Sequence, residues 1–280
     1  HTPFAPHVTG IKPQTPNKNI YGPATPKGMK RLFTSSPWGF RRYAFEDYCR
    51  FMKSIGITEI CAFFADPETF PLAFRPERGE MEKKLEVAAR TGVTFLEITT
   101  TGNYLEEARL AAFLKVRYIR VCESWEDSSA VFASAAEKLK ALGSLAAELG
   151  ITVIVENHGG LLTKASACRR LIETVALSSV RLNYDPANFL FFGEDPVAAL
   201  DEILPLVGFT HFKNVRYDRE DKPHYCRVSE GVINYGRIFS RLLPVYDGCI
   251  GLEYEEPDDA EQGTADDLAA VKVLVNNWRK

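Results

Sequence analysis

The chain has 280 residues, 45% of them hydrophobic and 25% charged, which is typical of a globular protein and excludes a mainly disordered or collagen-like chain. The formal net charge of -3 predicts no overall attraction to nucleic acid or to an anionic membrane. No apolar run approaches the roughly 20 residues of a membrane-spanning helix. The six scattered cysteines include no CxxC pair, so we expect free thiols, which favour a cytoplasmic protein. Because the sequence begins with His1 and not with Met, a processed, exported form is the alternative.

Residues 1–29 predict a Pro-rich N-terminal arm. Prolines recur through this stretch with Asn, Thr and Gly between them, a composition that supports neither a helix nor a central strand. We interpret the arm as a surface tail or linker, with a segment that wraps around a partner subunit as the alternative.

From residue 30 to residue 280 the chain alternates short apolar runs with amphipathic stretches, a rhythm typical of βα units. The pattern predicts strands at 31–34, 58–64, 94–99, 118–123, 152–156, 181–185, 210–213 and 249–254. It predicts helices near 45–54, 80–91, 105–114, 132–149, 164–175, 196–204, 235–243 and 266–278. Eight such units match the size of a single-domain (β/α)8 TIM barrel, and the Gly-rich first turn of a dinucleotide-binding sheet is missing.

Four residues able to bind a metal ion stand at the ends of the last four predicted strands. They are Glu156, Asp185, His211 and Glu253. A parallel barrel directs the carboxyl ends of its strands to one mouth, so we expect these side chains to meet there. Three carboxylates and one imidazole favour Mn²⁺, with Mg²⁺ or Co²⁺ as alternatives. For any single acidic residue, a helix cap or a solvated loop charge is the alternative.

Three further side chains are candidates for the same mouth. His158 follows Glu156 by two residues and would share its side of an extended segment, as a base or substrate ligand or simply as a residue that orients the loop. Lys213 stands in the same relation to His211, where it would bind a substrate oxyanion or pair with a barrel carboxylate. Trp38, after Pro37, is a candidate for stacking on a sugar ring.

Five short motifs at these places carry a resemblance to a known family. They are E-N-H-G-G from Glu156, D-P-A-N from Asp185, H-F-K-N from His211, E-G-V-I-N from Glu230 and L-E-Y-E from Leu252. In their order and spacing the chain resembles the xylose-isomerase-like barrel family of sugar phosphate isomerases and epimerases. That family includes tagatose and allulose 3-epimerases, hydroxypyruvate isomerase and inosose dehydratase.

The resemblance implies that Glu156, Asp185, His211 and Glu253 coordinate a divalent metal. It further implies that Glu156 and Glu253 exchange protons with a substrate carbon from opposite faces. Asn188 lies where the family commonly has a polar contact to the substrate, although an ordinary turn residue is the alternative. The resemblance to this family also implies that the protein is a homo-oligomer.

We therefore expect a metal-dependent sugar isomerase or epimerase that removes a proton next to a carbonyl through an enediolate. A lyase or dehydratase acting on a keto-sugar or keto-glycoside, with His158 as the base, is the first alternative. A catalytically idle binding subunit is the second. The small number of histidines and the net negative charge argue against membership of the related class of abasic-site endonucleases. The expected partner is therefore a small sugar-derived molecule and not a nucleic acid.

Overall fold

The computed structural model describes residues 31–278, and the arm predicted at 1–29 lies outside them. Eight parallel strands form a nearly closed barrel in the order β1, β10, β7, β6, β5, β4, β3 and β2. Between β1 and β2 the ring is closed by the Thr34 hydroxyl, which donates to the Glu59 carbonyl at 2.8 Å. The predicted (β/α)8 barrel is confirmed. None of the helices in the described part of the chain has the length and apolarity needed to cross a bilayer.

The strands are short and agree with the predicted runs to within a few residues. In chain order they are β1 Phe33–Ser35, β2 Glu59–Phe63, β3 Thr94–Thr99, β4 Tyr118–Val121, β5 Thr152–Glu156, β6 Val180–Tyr184, β7 Val207–Phe212, β8 Asn214–Tyr217, β9 Pro223–Cys226 and β10 Ile250–Leu252. Strands β8 and β9 form an antiparallel hairpin outside the barrel, which the sequence pattern did not predict.

Helices alternate with the barrel strands. They are α1 Phe45–Ser54, α2 Arg78–Thr91, α3 Tyr104–Phe113, α4 Ser129–Leu149, α5 Ala165–Val175, α6 Pro186–Phe191, α7 Pro196–Ile203, α8 Tyr235–Leu242 and α9 Ala260–Asn277. Their ends follow local chemistry, as in α4, where the Ser128 hydroxyl caps the first turn and Gly150 ends the helix at a φ of 71°. The short helix α6 was not predicted. It begins at Pro186, directly after Asp185.

The hydrophobic core has two parts. The larger part fills the space between the helices and the outer face of the barrel. The smaller part lies inside the barrel and contains Cys61, Ile154, Phe209 and Cys249. Side chains alternate along a strand, so the interior face of β7 carries Phe209 and then His211, whose rings are 5.7 Å apart. The apolar interior therefore forms a floor beneath the polar mouth. All six cysteines are free thiols, as predicted.

Candidate metal and active site

A cavity of about 390 Å³ opens at the carboxyl ends of the barrel strands. Its polar side includes Glu156, His158, Lys213 and Glu253, and Trp38 lies on its other side. The predicted site residues that line this cavity thus come from four separate parts of the sequence, around positions 38, 156, 213 and 253. Asp185, Asn188 and His211 lie around it and do not line it themselves.

Glu156, His211 and Glu253 are brought together as predicted. Each is buried, and one ligand atom from each lies within 4.8 Å of the other two. Nδ1 of His211 is 3.4 Å from Oε1 of Glu156 and 3.2 Å from Oε1 of Glu253. Two carboxylate oxygens and an imidazole nitrogen converging on one point fit a divalent metal ion.

Asp185, the fourth predicted ligand, has a second role. Its Oδ1 accepts hydrogen bonds from the backbone amides of Ala187 and Asn188 and so caps α6. A helix cap was the alternative to a metal ligand for an acidic residue at a strand end. Its Oδ2 lies 3.0 Å from Nζ of Lys213 at an angle that does not make a hydrogen bond, which leaves this buried oxygen without a hydrogen-bond partner among residues 31–278. Burial raises the pKa of Asp185 to about 7, despite the nearby Lys213 charge. Asp185 lies outside the tight group of three, but its Oδ2, which is paired with the Lys213 charge and makes no hydrogen bond, is suited to a metal ligand.

Two buried cations accompany the acidic residues. Nη1 of Arg120, on β4, lies 2.6 Å from Oε2 of Glu156 and 3.6 Å from Oε1 of Glu253. Nζ of Lys213 lies 2.6 Å from Oε2 of Glu253 and 2.6 Å from Oε1 of Glu255. The two cations therefore balance part of the negative charge that would otherwise be buried without compensation. For Lys213, pairing with barrel carboxylates was the alternative to a substrate contact, and its position at the cavity wall is compatible with both.

These cations keep the two glutamates ionised. Burial of Glu156 favours its neutral form, but the Arg120 charge outweighs this effect and holds the pKa of Glu156 well below its usual range. Burial of Glu253 is likewise outweighed by Lys213 and His211, and its pKa is also held well below the usual range. Both side chains are therefore carboxylates at neutral pH, as a metal ligand and a general base must be.

His211 carries a proton when no metal is bound. Burial lowers its pKa, but Glu253 and Glu156 overcome that effect and raise the pKa to about 9. Its Nε2 is buried and has no hydrogen-bond partner among the residues that the structure describes. Only the neutral imidazole is a metal ligand, so a metal ion bound by His211 would displace this proton.

His158 stands at the open side of the cavity. The side chain is exposed, and its Nδ1 lies 3.3 Å from the Ser124 hydroxyl, which also donates to the His158 carbonyl at 3.1 Å. Two glycines shape the loop that follows. Gly160 has a φ of 52°, and a Cβ there would lie 1.9 Å from the Trp125 carbonyl oxygen, so this position requires glycine. The E-N-H-G-G motif therefore turns sharply just beyond the imidazole.

The two remaining candidates differ in position. Trp38 lies in a short 3-10 turn after β1 and lines the cavity. Asn188 is buried in α6, where its Oδ1 accepts a hydrogen bond from the Tyr225 hydroxyl at 2.9 Å. Tyr225 lines the cavity, so Asn188 supports the wall from behind.

Three residues of this site were not identified from the sequence. Arg120 is a charged residue inside the apolar run Tyr118–Val121, an unusual place for arginine unless it is paired, and this was the available signal. Glu255 follows Glu253 by two residues in the quoted L-E-Y-E motif. Tyr225 comes from the unpredicted hairpin, and no sequence pattern indicated that its ring would lie 4.3 Å from Nζ of Lys213.

Residues 32–274 match the family described as xylose isomerase-like TIM barrel. The chain belongs to this family. The curated relatives that the chain matches include an inosose dehydratase of Geobacillus thermodenitrificans, 28% identical over 134 residues. That match covers 42% of this chain and 45% of the relative, so the chain spans about half the length of the curated relatives it matches. The resemblance inferred from the five motifs is confirmed at the level of the family.

Solved structures with the same fold include enzymes of different reaction classes. The probable 3-DHS dehydratase of Bacillus anthracis has a TM-score of 0.68 at 17% identity and covers 86% of this chain and 98% of its own. The 3-keto-D-glucoside 4-epimerase of E. coli has a TM-score of 0.66 at 15% identity, covering 87% and 100%. A xylose isomerase-like protein of Mycobacterium smegmatis, solved in complex with magnesium, has a TM-score of 0.71 at 17% identity, covering 88% and 96%. Identities this low show the fold alone.

Proposed function

We propose that this protein is a divalent-metal-dependent enzyme that removes a proton next to a carbonyl of a sugar-derived substrate, and that it acts as an isomerase or epimerase. The observation that carries the proposal is the convergence of Glu156, His211 and Glu253 within 4.8 Å, at a cavity of about 390 Å³. Asp185 is the proposed fourth ligand, and Mn²⁺ is the proposed ion, with Mg²⁺ or Co²⁺ as alternatives.

Glu156 and Glu253 are the proposed proton carriers. They enter the mouth from two strands on the same arc of the barrel, β5 and β10, which are separated by β6 and β7. Both are carboxylates at neutral pH because Arg120 and Lys213 lower their pKa values, so each is free to take a proton from a substrate carbon held between them. The same cations weaken both carboxylates as bases, so proton removal depends on the acidity that the neighbouring carbonyl gives the substrate carbon. A bound metal ion would supply positive charge to the substrate oxygens as the carbanion forms. Inversion requires the glutamate on the opposite side to take a proton from water first and then to deliver it to the carbon, while the first glutamate keeps the proton that it removed. Delivery of a proton to the neighbouring carbon, with a hydroxyl proton moving between the two oxygens, isomerises the sugar.

Elimination is the second candidate, and the position of His158 favours it. This imidazole lines the cavity at its open side, apart from the cluster of metal ligands, where it could take a proton or protonate a leaving group. Similarity to inosose dehydratases also supports this candidate. Both reactions begin with the same proton abstraction and differ in the fate of the next carbon. A non-catalytic binding subunit is the weakest of the three possibilities, because a barrel that only binds a partner would not require buried ionisable residues grouped as Glu156, His211 and Glu253 are.

The test is incubation of the Mn²⁺-loaded protein with ketoses, inosose and keto-glucosides in D₂O. Isomerisation or epimerisation gives a saturated sugar product that carries deuterium next to the carbonyl. Elimination gives an unsaturated ketone together with water or a free aglycone. Mass spectrometry and NMR of the products separate the two outcomes.

Matched variants assign the activity to this site. Glu156→Gln and Glu253→Gln each keep the shape of the side chain and remove the base, so we expect turnover to fall by roughly 10²-fold or more. Glu148→Gln, an exposed position on α4, is the control and should keep full activity. Full activity in both site variants, or no deuterium exchange with any substrate, would contradict the proposal.

A further inference from the structure

The cavity has two chemically different walls. The ionised groups come from β4, β5, β7, β10 and the segments just after them, which lie on one arc of the barrel. The opposite wall follows β1 and β2 and is formed by Pro37, Trp38, Phe63, Phe64 and Phe70. A ligand that fills the cavity therefore meets charged groups at one end and aromatic rings at the other.

Three of these rings form a fixed triangle. The ring centroids of Trp38 and Phe63 are 6.1 Å apart, those of Trp38 and Phe70 are 5.6 Å apart, and those of Phe63 and Phe70 are 5.9 Å apart. The Arg41 guanidinium lies 4.9 Å from the Trp38 ring centroid, and its Nη1 donates to the Trp38 carbonyl at 2.8 Å. Trp38 is thus held in place although 38% of it remains exposed.

The loop that carries Phe70 is also well fixed. Phe70 donates its backbone N–H to the Asp66 carbonyl at 3.0 Å, and Ala65 donates to the Phe74 carbonyl at 3.2 Å. An ion pair of 2.7 Å joins Arg75 to Asp66 across the base of the loop. The aromatic wall is therefore formed before any ligand arrives, which lowers the entropy that binding must overcome.

A bare polyol fits this wall poorly. Pro37 has no N–H, and the phenyl rings offer no conventional hydrogen-bond partner, so apart from the Trp38 indole N–H this wall has no side-chain group to replace the water that a hydroxyl would lose. The volume of about 390 Å³ falls in the range of roughly 300–1,000 Å³ that is typical of sites for drug-sized ligands. An aromatic group attached to the sugar would instead bury its surface against Trp38 and Phe70.

We infer that the substrate is a glycoside with an aromatic or similarly flat apolar aglycone, with its sugar at the charged wall and its aglycone against Trp38, Phe63 and Phe70. This inference rests on the proposed function for the sugar end and adds the chemical class of the remainder. In an elimination, the aglycone would leave with the pair of electrons from its bond to the sugar and would take up a proton. In an isomerisation or epimerisation it would stay attached and contribute binding only.

The test measures binding, so it is independent of turnover. Calorimetric titration of the Mn²⁺-loaded protein with p-nitrophenyl β-D-glucoside and with methyl β-D-glucoside compares one sugar with and without an aromatic group. Neither compound carries a ketone, so neither can react by proton abstraction. We expect the aryl glucoside to bind at least about tenfold more tightly, because of the aromatic contacts and the extra apolar burial.

Three variants locate the effect. Trp38→Leu and Phe70→Ala should each reduce the preference for the aryl glucoside to a few-fold or less while leaving the affinity for methyl glucoside nearly unchanged. Tyr217→Ala removes an exposed ring on β8 that does not line the cavity, and it should change neither affinity. Circular dichroism establishes that each variant is folded.

Equal affinity for the two glucosides, or binding of neither, would overturn the inference. A loss of affinity for both glucosides by the same factor in Trp38→Leu would also overturn it, since the rings would then stack on the sugar itself. Failure of the proposed function has a different signature, namely tight aryl glucoside binding in a protein that exchanges no deuterium with any keto-sugar.

Discussion

Arg120 places a permanent positive charge among the residues proposed to hold the metal. Its Nη1 lies 2.6 Å from Glu156 and 3.2 Å from Nδ1 of His211, so a metal ion and the guanidinium share the same ligands. Two unit charges at about 4 Å interact by roughly 4 kcal/mol at the effective dielectric of about 20 near a protein surface, and a divalent ion is repelled more strongly. Arg120 should therefore weaken metal binding while it stabilises the metal-free site.

Replacement of Arg120 tests this reasoning. We expect Arg120→Met to bind Mn²⁺ at least about tenfold more tightly than the parent protein, because the repulsion is gone and Glu156 is released. Calorimetric titration of the metal-free proteins measures the change. Arg120→Lys keeps the charge and should stay close to the parent value. Weaker binding by Arg120→Met would mean that Arg120 mainly orients the ligands.

At the residue scale, the sequence predicts which residues lie at the barrel mouth but not which contacts their side chains make there. Glu156, His211 and Glu253 could be predicted to meet because each stands at the end of an apolar run, and a parallel barrel directs the carboxyl ends of its strands to one mouth. The approach of Lys213 to Asp185 could not be predicted, because it depends on which way a long, flexible side chain turns inside a folded mouth.

At the scale of elements, α9 is joined to the segment that follows the β8–β9 hairpin by one buried carboxyl group. The backbone N–H of Val228 donates to Oδ1 of Asp267 at 2.7 Å. Oδ2 has no hydrogen-bond partner within the described chain, and burial raises the pKa of Asp267 from 3.8 to about 7. Between these two pH values the folded protein keeps a proton that the unfolded chain has released, so this group's contribution to stability falls as the pH rises.

Asp267→Asn removes that pH dependence. The amide still accepts the hydrogen bond from Val228 but carries no charge, so the variant should equal the parent near pH 4 and exceed it at pH 8. With about 1.4 kcal/mol for each pKa unit, the gain at pH 8 has an upper limit of roughly 4 kcal/mol. Urea unfolding at both pH values measures the difference, and Glu261→Gln, exposed on the same helix, is the control. A stability difference that is the same at pH 4 and pH 8 would contradict the prediction.

Elements differ in how far the sequence predicts them. The barrel strands and their helices have strong apolar periodicity, and all eight strands lie at the predicted places within a few residues. The β8–β9 hairpin and α6 were missed because the hairpin is largely solvated and α6 is only six residues long. The missed hairpin supplies Tyr225 to the cavity wall.

At the scale of the whole molecule, the barrel explains why residues almost 100 positions apart lie together. Glu156 and Glu253 stand on strands that are distant in sequence, yet each lies close to His211 at a single mouth. The same closure brings the aromatic wall of β1 and β2 opposite the charged arc. The fold and the convergence of Glu156, His211 and Glu253 were therefore predictable together, since both depend on parallel strands directed to one end. The reaction class was not, because it depends on the substrate's own leaving group.

The metal content of the purified protein tests the central claim most directly. The parent protein and the variants Glu156→Gln and His211→Ala are first loaded with Mn²⁺ and freed of excess ion. Inductively coupled plasma mass spectrometry then measures the metal bound to each protein. We expect one equivalent of metal in the parent protein and a strong loss in both variants, because each variant removes a buried ligand at the barrel mouth. Metal content that is unchanged by both substitutions, or a parent protein that cannot be loaded, would contradict the assignment of this site.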